Sequence, residues 1–324
     1  MGLDVRNDLP ATEQLDLCAW ADDNGFADAW MAEITDPEIF AMMGAATQRT
    51  SRIRLGTAIV PLGPRSLPTV ASGAATIAAL APGRLCLGLG VSSRVIVEAW
   101  HGGDFGAPIA RARESVSALR DMLVGWRSDH HGDHVRSVGF QLKHVPDSMP
   151  EIALAALNPQ MLRLAGEVAD AVHLNFVPVD AVATVLDQVR RGAQAVKRPM
   201  PEVVLAVPTW VTEDCDAARA ELASALAFYL TAPSYQKALT WYGFAAEVEA
   251  LRSVYASKGL SAVPGIISPA MLDAIGAWGT VSQVRDRYQE YWEAGVSSLS
   301  ISALGPHPMD TFAALVPPGR SDVG

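Results

Sequence analysis

The sequence predicts a (β/α)₈ barrel, and two observations support this prediction. Short apolar runs rich in β-branched residues alternate with segments of helical spacing along the whole chain. Eight such pairs follow one another, and parallel strands can be joined only through crossover connections, usually helices. With 324 residues, of which 50% are hydrophobic and 19% are charged, the chain is long enough to fill such a barrel as one domain.

The predicted strands share the near-continuous apolar composition of strands that are buried on both faces. They are Gly2–Arg6, Phe26–Glu33, Ile53–Pro61, Arg84–Val91, Glu151–Ala156, Ala171–Phe176, Val203–Val211 and Ser297–Ser302. Helical spacing predicts helices at Glu13–Asn24, Pro37–Thr50, Leu67–Leu80, Ile109–Trp126, Pro159–Asp170, Val179–Val196, Asp214–Leu230 and Val281–Ala294. Right-handed crossovers bring the carboxyl ends of all strands to one mouth, where barrel enzymes place their active sites.

Two segments depart from this alternation. Residues 127–150 are polar and contain four histidines, so we expect a solvated loop. Residues 232–277 contain aromatic and helical stretches but no convincing strand, which predicts an insertion between strands seven and eight. Because loops after barrel strands face the active site, this insertion is a candidate lid or substrate wall. We therefore expect one domain over residues 1–316 and a flexible tail at 317–324.

Composition excludes several classes of protein. A formal net charge of −10 argues against a general nucleic-acid surface, because phosphate backbones require clustered Lys and Arg. The apolar runs are too short to span a bilayer, and Met1–Asp8 carries acids where a signal peptide would be basic and then apolar. Cys18, Cys86 and Cys215 are far apart, as suits a reducing compartment. We expect a soluble cytoplasmic protein that binds neither nucleic acid nor membranes.

Potential metal ligands and nucleophiles give only weak signals. His130, His131 and His134 lie close together near two aspartates, but without helical periodicity or a zinc-ligand spacing, so we predict no metal site. The chain has no Gly-x-Ser-x-Gly elbow, and its cysteines lack a local signature. A barrel mouth with few titratable groups indicates that an organic cofactor performs the chemistry.

Glu33 is the candidate catalytic residue, since it closes the second predicted strand, where a carboxylate would face the barrel mouth. Its position is equally compatible with capping the next helix or pairing with a nearby arginine. Asp36, which precedes a proline, is better suited to being a helix N-cap than a catalyst. The segment Gly88–Ser93 resembles a dinucleotide-binding loop but lacks the third glycine, so it fits better as a barrel strand opening into a small-residue loop.

Asn158 and Pro159 provide a favoured N-cap and a favoured first residue for the fifth helix. The first turn of a helix leaves backbone N–H groups without partners and carries a partial positive charge, so Asn158, Pro159, Gln160 and Met161 form a candidate anion site. Every helix has such an end, and the signal is weak alone.

The sequence of residues 55–90 resembles the bacterial luciferase-like family of flavin- and deazaflavin-dependent oxidoreductases. It reads LGTAIVPLGPRSLPTVASGAATIAALAPGRLCLGLG. The likeness extends over nearly the whole chain, from Gly25–Trp30 to Ala294–Val296. It implies the same barrel and a bound cofactor, either FMN or the deazaflavin coenzyme F420. Asp36-Pro37, Gly83-Arg84 and Gly166–Asp170 look more like the deazaflavin branch.

The resemblance also implies a set of cofactor-binding residues. Ala58 and Ile59 match a position where the family has a non-prolyl cis peptide bond that supports the central ring of the cofactor. Residues 152–175 match the cofactor-phosphate region, with Asn158 in place of the usual glycine. The implied cofactor-binding residues are Glu33, Ala58, Ile59, Gly90, Ser92, Ser93, Asn158, Pro159, Gln160, Met161 and Asn175.

We therefore expect hydride transfer between F420 and a small organic substrate. In several deazaflavin relatives a histidine that handles a proton follows the acid of the second strand, but here Ile34 follows Glu33. An apolar substrate such as an enone, imine or quinone-like compound is thus favoured over a sugar phosphate. The alternatives are an FMN-dependent monooxygenase that consumes oxygen and a non-catalytic flavin-binding barrel. The resemblance also implies a homodimer, since barrels of this family commonly pair. The apolar helices at 37–50 and 67–80 are candidates for its interface, although helices buried within one chain would have the same composition.

Overall fold

The computed structural model describes residues 1–35 and 37–317. Within these residues, eight parallel strands close into a barrel in the order β1, β2, β3, β5, β8, β9, β10 and β12, and β12 pairs back with β1. These strands are Gly2–Val5 (β1), Asp28–Met31 (β2), Arg54–Thr57 (β3), Leu85–Gly90 (β5), Glu151–Ala155 (β8), Ala171–Asn175 (β9), Glu202–Val211 (β10) and Ser298–Ala303 (β12). The predicted fold is confirmed.

Helices surround the barrel, and all eight predicted ones are present with boundaries shifted by at most a few residues. They are α1 (Ala11–Asp23), α2 (Ile39–Thr47), α3 (Leu67–Leu80), α4 (Pro108–Leu123), α5 (Pro159–Val168), α6 (Val179–Ala195), α7 (Cys215–Leu230) and α11 (Val281–Glu293), and a further helix α12 (Pro308–Ala314) follows β12. Cys18 and Cys86 are free and buried. The predicted tail lies, apart from Pro317, outside the described residues, as does the predicted cap Asp36.

Two predicted elements differ in the structure. The third strand is divided into β3 and a short β4 (Val60–Pro61), because the backbone leaves the ladder at Ala58 and Ile59. The predicted solvated loop at 127–150 contains an antiparallel hairpin of β6 (Asp129–His131) and β7 (Arg136–Val138). This hairpin is stabilised by its buried serines, since Ser128 Oγ and Ser137 Oγ lie 3.1 Å apart.

The predicted insertion is helical and packs on the barrel. It contains α8 (Pro233–Trp241), α9 (Ala245–Lys258) and α10 (Pro269–Ile275), followed by a short strand β11 (Ala277–Gly279) that pairs with β10. Its apolar side chains form a second core with α7, which also contacts Phe176 at the end of β9. The insertion therefore lies at the carboxyl end of the barrel, where a substrate wall was predicted.

Most apolar residues of helices α2 and α3 pack against other parts of the same chain. Met43 and Ala74 belong to the main core, and the ring of Phe40 occupies the space beside Gly73, where an added Cβ would lie 2.7 Å from it. The predicted dimerisation through these helices stays a prediction. Among the described residues, no helix combines the length and the apolarity that crossing a membrane requires.

Candidate active site

The amino-terminal end of the barrel is closed by ion pairs around Arg54. The Arg54 guanidinium donates to Asp28 at 2.5 Å, to Glu151 at 2.7 Å and to Glu202 at 2.7 and 3.0 Å. Each of these residues is the first of its strand. Burial disfavours the charged guanidinium, but the hydrogen bonds with Glu202 and Asp28 raise the pKa of Arg54 above its ordinary value. The polar groups at this end therefore have partners within the protein.

Trp30 and His173 lie side by side inside the barrel. Their ring centroids are 4.9 Å apart with an angle of 64° between the rings, and the Arg54 guanidinium lies 5.7 Å from the Trp30 ring centroid. Only a glycine fits beside Trp30 at position 56, since a Cβ there would lie 2.2 Å from the indole. Trp30 Nε1 and His173 Nε2 are both buried without a hydrogen-bond partner. Burial lowers the pKa of His173 to about 4, which keeps the imidazole neutral.

Asp4 is the acid that the sequence analysis missed. Its carboxyl accepts a hydrogen bond from Ser300 Oγ at 2.5 Å, and Ser302 is a second hydrogen-bond partner. Burial raises the pKa of Asp4, and these two serines offset that effect only in part. The residue as a whole is half-buried rather than fully enclosed. The available signal was an acid at an inward-facing position of an otherwise apolar strand, Gly2–Val5.

Glu33 lies two residues beyond β2 in an ion-paired cluster. Arg65 Nη2 donates to Glu33 Oε1 and, at 2.7 Å, to Glu38 Oε1. Burial raises the pKa of Glu33 and Glu38 adds to this, whereas the charge of Arg65 and a backbone hydrogen bond from Ile39, the first residue of α2, oppose it. Glu38 occupies the N-cap position of α2, and its side chain accepts from Ala41 N at 2.7 Å. The pairing alternative for Glu33 is therefore confirmed, and its Oε2 atom remains buried without a partner.

The Glu33 cluster opens into a cleft of about 340 Å³. Besides Glu33, Glu38 and Arg65, the cleft is bordered by Pro61 after the β3 bulge and by His101 at the end of a π-helical segment, Val95–Trp100. The cleft thus joins the carboxyl ends of β2, β3 and β5. The arginine that pairs with Glu33 could not be identified from the sequence, because Arg65 lies 32 residues away from it.

The predicted cis peptide bond at Ala58–Ile59 is present. Both residues are half-buried, and Ile59 packs against the end of β5. A Cβ at Gly90 would lie 2.9 Å from Ile59 Cγ1, and one at Gly88 would lie 1.8 Å from the Thr57 carbonyl oxygen. Glycine is therefore required at both positions by packing within the chain, a reason that the sequence analysis did not consider.

The loop after β5 contains Ser92 and Ser93. Ser92 has φ = +58°, which turns the chain away from the barrel. Ser93 Oγ accepts a hydrogen bond from Ile96 N at 3.3 Å and so begins the π-helical segment. Both side chains are half-buried at the mouth.

Asn158 occupies the N-cap position of α5 but makes no capping hydrogen bond, so the first turn of this helix has no side-chain cap. Its Nδ2 instead donates to the Ser234 carbonyl at 3.1 Å, which ties α8 to the end of β8, and its Oδ1 is buried without a partner. Asn175, at the end of β9, is a hydrogen-bond partner of Tyr235 on α8. Asn158 and Asn175 therefore both contact the insertion.

Other predicted features fall outside this mouth. His130 and His131 lie on the hairpin, where they contact Asp121 at 3.3 Å and Asp129 at 2.9 Å. Among residues 1–35 and 37–317, no three His, Cys, Asp or Glu side chains come together as a metal site would require.

Comparison with known proteins identifies the family. The sequence profile of the luciferase-like monooxygenase family matches residues 3–298. The chain is 26% identical to a 5,10-methylenetetrahydromethanopterin reductase of Methanolobus tindarius over 89% of each chain. It is 27% identical to a putative coenzyme F420-dependent oxidoreductase of Mycobacterium tuberculosis over 95% of each chain.

Solved structures share the whole fold. The coenzyme F420-dependent tetrahydromethanopterin reductase of Methanopyrus kandleri has a TM-score of 0.83 at 22% identity and covers 97% of this chain and 96% of its own. An F420-dependent secondary alcohol dehydrogenase has a TM-score of 0.80 at 18% identity, with 98% and 97% coverage. Since the family profile matches nearly the entire barrel, the chain belongs to the luciferase-like monooxygenase family.

Proposed function

We propose that the protein is an oxidoreductase that transfers a hydride between coenzyme F420 and a small organic substrate. The relatives support this, because several of them are named as F420-dependent enzymes. The observation that carries the proposal is that two buried polar atoms at the carboxyl end of the barrel, Glu33 Oε2 and Asn158 Oδ1, have no hydrogen-bond partner. Such atoms cost free energy, so their concentration there points to a ligand that completes their hydrogen bonds.

The start of α5 fits the phosphate of the coenzyme. The backbone N–H groups of Gln160 and Met161 lie in an uncapped first turn, and the helix dipole adds positive charge at that end. Asn158 Oδ1 is an acceptor, so it would meet a hydroxyl of the coenzyme's side chain rather than the phosphate.

The half-buried residues around the mouth are suited to contact the deazaflavin ring of the coenzyme. Ala58 and Ile59 provide an apolar surface, and Asn175, Ser92 and Ser93 provide polar groups at its edge. The bound coenzyme supplies or accepts the hydride. The residues of the chain then have to orient the substrate, exclude water and handle one proton.

Asp4 is the proposed proton donor. No cation pairs with its carboxyl among the described residues; its hydrogen-bond partners are two serines, and burial raises its pKa. A carboxyl in such surroundings keeps its proton to higher pH than an exposed aspartate and can deliver it to a substrate heteroatom. Asp4 thus offers a solution to the absence of a histidine at Ile34.

Glu33 has a different proposed role. Burial raises the pKa of Glu33, but Arg65 holds its Oε1 and opposes this shift by favouring the ionised carboxylate, while Oε2 is left to accept a hydrogen bond. A carboxylate fixed in this way orients a reactant more readily than it releases a proton. We therefore assign Glu33 to contact with the reactants at the mouth and Asp4 to proton transfer.

Anaerobic mixing with reduced F420 and a panel of enone, imine and quinone acceptors tests the proposed function. We expect the absorbance of oxidised F420 to return with at least one acceptor, and no oxygen uptake when air is admitted with FMN. Oxygen consumption with reduced FMN, together with no reaction of F420, would instead identify an FMN-dependent monooxygenase. Cofactor binding without turnover under any condition would identify a non-catalytic flavin-binding barrel.

A further inference from the structure

We infer that the cleft beside Glu33 and Arg65 binds the organic substrate, and that this substrate carries a protonated nitrogen on a small apolar body, as a cyclic iminium ion does. The inference rests on the proposed function, because it places the organic substrate, the reactant other than F420, in this cleft. It selects one substrate class among the enones, imines and quinone-like compounds that the sequence leaves open.

The size and walls of the cleft indicate a small apolar body. Its volume of about 340 Å³ is near the lower end of the range for small-molecule pockets. Much of its wall is apolar and consists of Ile34, Pro37, Pro61, Pro64 and Ile96. Three prolines and two isoleucines provide shape and apolar contact but no side-chain hydrogen bond. The polar part of the wall consists of Thr35, His101 and the charged cluster of Glu33, Glu38 and Arg65.

This charged cluster favours a cation or a hydrogen-bond donor. Arg65 Nη2 binds both Glu33 and Glu38, so two carboxylates share one guanidinium and the three groups carry one net negative charge when ionised. Arg65 is only 18% exposed and also lies over the Phe40 ring, which fixes it in place. An anionic substrate such as a carboxylate or a phosphate would be repelled.

Glu33 Oε2 adds a directional requirement. This carboxylate oxygen is buried and has no partner within the protein. A ligand that completes it must donate an N–H or O–H group, and a donor that is itself charged makes the stronger hydrogen bond. Enones and quinones present only acceptor oxygens to this atom, whereas a protonated imine presents an N–H group. The cleft therefore favours substrates that donate a hydrogen bond to Glu33 Oε2 over substrates that can only accept one.

The reduction of an iminium ion balances with the coenzyme alone. The iminium carbon accepts the hydride, the C=N π bond breaks, and its electron pair goes to nitrogen. The resulting amine takes up a proton from Asp4, and the proton that reduced F420 also releases restores the Asp4 carboxyl, which gives the ammonium product and oxidised F420. No further oxidant or reductant is needed.

The test compares three acceptors of similar size with reduced F420 in excess: 2-methyl-1-pyrroline, 2-methylcyclopent-2-enone and 4-oxopentanoate. We expect kcat/KM for the imine to exceed that for the enone by about tenfold or more, the scale of one hydrogen bond to a charged group. No turnover of the carboxylate is expected. A higher kcat/KM for the enone or for the carboxylate would overturn the inference.

Substitution of Glu33 tests whether this residue recognises the imine. Glu33→Gln should raise the KM for the imine about tenfold and reduce the preference for the imine over the enone. Glu98→Gln is the matched control, because Glu98 pairs with Arg94 on the adjacent π-helical segment and is not part of the cleft wall. An unchanged KM for the imine in Glu33→Gln would assign recognition to another place.

Binding measurements separate this inference from the proposed function. Calorimetry of the F420-loaded protein with the pyrrolidinium ion should show saturable binding that cyclopentanone lacks, even if no acceptor is turned over. Failure of F420 to bind would defeat the proposed function itself. F420 binding without any pyrrolidinium binding, or with equal binding of cyclopentanone, would leave the proposed function standing and overturn the substrate assignment.

Discussion

The two ends of the barrel treat buried polar groups in opposite ways. At the amino-terminal end, Arg54 pairs with Asp28, Glu151 and Glu202, and Ser298 Oγ donates to Asp28 at 3.3 Å. In the interior and at the carboxyl end, atoms of Trp30, Glu33, Asn158 and His173 are buried without partners. Of the described residues, Arg111 on α4 is the remaining one with such an atom.

This difference distinguishes the polar groups that stabilise the fold from those that are available to bind a ligand. An ion-pair network that closes on itself needs nothing further, and breaking it costs stability because it leaves buried charge uncompensated. Unpartnered groups at the other end lower the stability of the protein alone and gain from a ligand. Substitutions at the amino-terminal end should therefore affect folding, and substitutions at the carboxyl end should affect binding and turnover.

Replacing Arg54 tests the first half of this comparison and should have the largest effect. Arg54→Met leaves Asp28, which is 4% exposed, without its cation, so we expect the free energy of unfolding to fall by about 3–5 kcal/mol. Urea unfolding gives this value. Arg49→Met is the control, because the exposed pair of Arg49 with Asp16 should contribute at most about 1 kcal/mol. Equal losses in the two variants would show that the barrel end is not stabilised by this network.

Replacing Asp4 tests the second half. Asp4→Asn keeps the size of the side chain but cannot donate a carboxyl proton, so turnover should fall at least about a hundredfold while thermal stability and F420 affinity persist. Because burial raises the pKa of Asp4, parent turnover should fall as pH rises through that pKa, and the variant should lose this dependence. Asp216→Asn, at a fully exposed position on α7, is the control. Parent-like turnover in Asp4→Asn would remove Asp4 from proton transfer.

The pH dependence of stability provides a third, smaller effect. The pKa of His173 is lowered from 6.5 to about 4, so between these values the unfolded chain binds a proton that the folded protein excludes. The free energy of unfolding should therefore fall as pH falls through this range, by about 2 kcal/mol at pH 5. His173→Gln should lack this contribution in urea unfolding at pH 7 and pH 5. An identical pH dependence in parent and variant would show that His173 is not enclosed as described.

The fold could be predicted because its strands are buried on both faces and therefore apolar throughout. The prediction failed at β6 and β7, where three-residue strands expose most of their side chains and have no apolar pattern. It also treated Ile53–Pro61 as continuous, because a break between apolar residues leaves no mark on composition.

Residues of the candidate site could be predicted only where the residue type and its position in the sequence were sufficient to indicate a role. Glu33 was found because a carboxylate at a strand end is unusual by itself, and Asn158 because a cap position is defined by its neighbours. Arg65 was missed because its role depends on Glu33, which is distant in sequence and close only in the fold. Asp4 was missed because the burial that raises its pKa arises only in the closed barrel, where it also meets Ser300, almost 300 residues away in sequence.

The central claim is that the carboxyl end of the barrel holds a deazaflavin, and an equilibrium titration tests it most directly. Fluorescence quenching should show saturable binding of F420 that is tighter than that of FMN, and an added ligand should raise the melting temperature. Sub-micromolar binding of FMN with no detectable binding of F420 would contradict the claim.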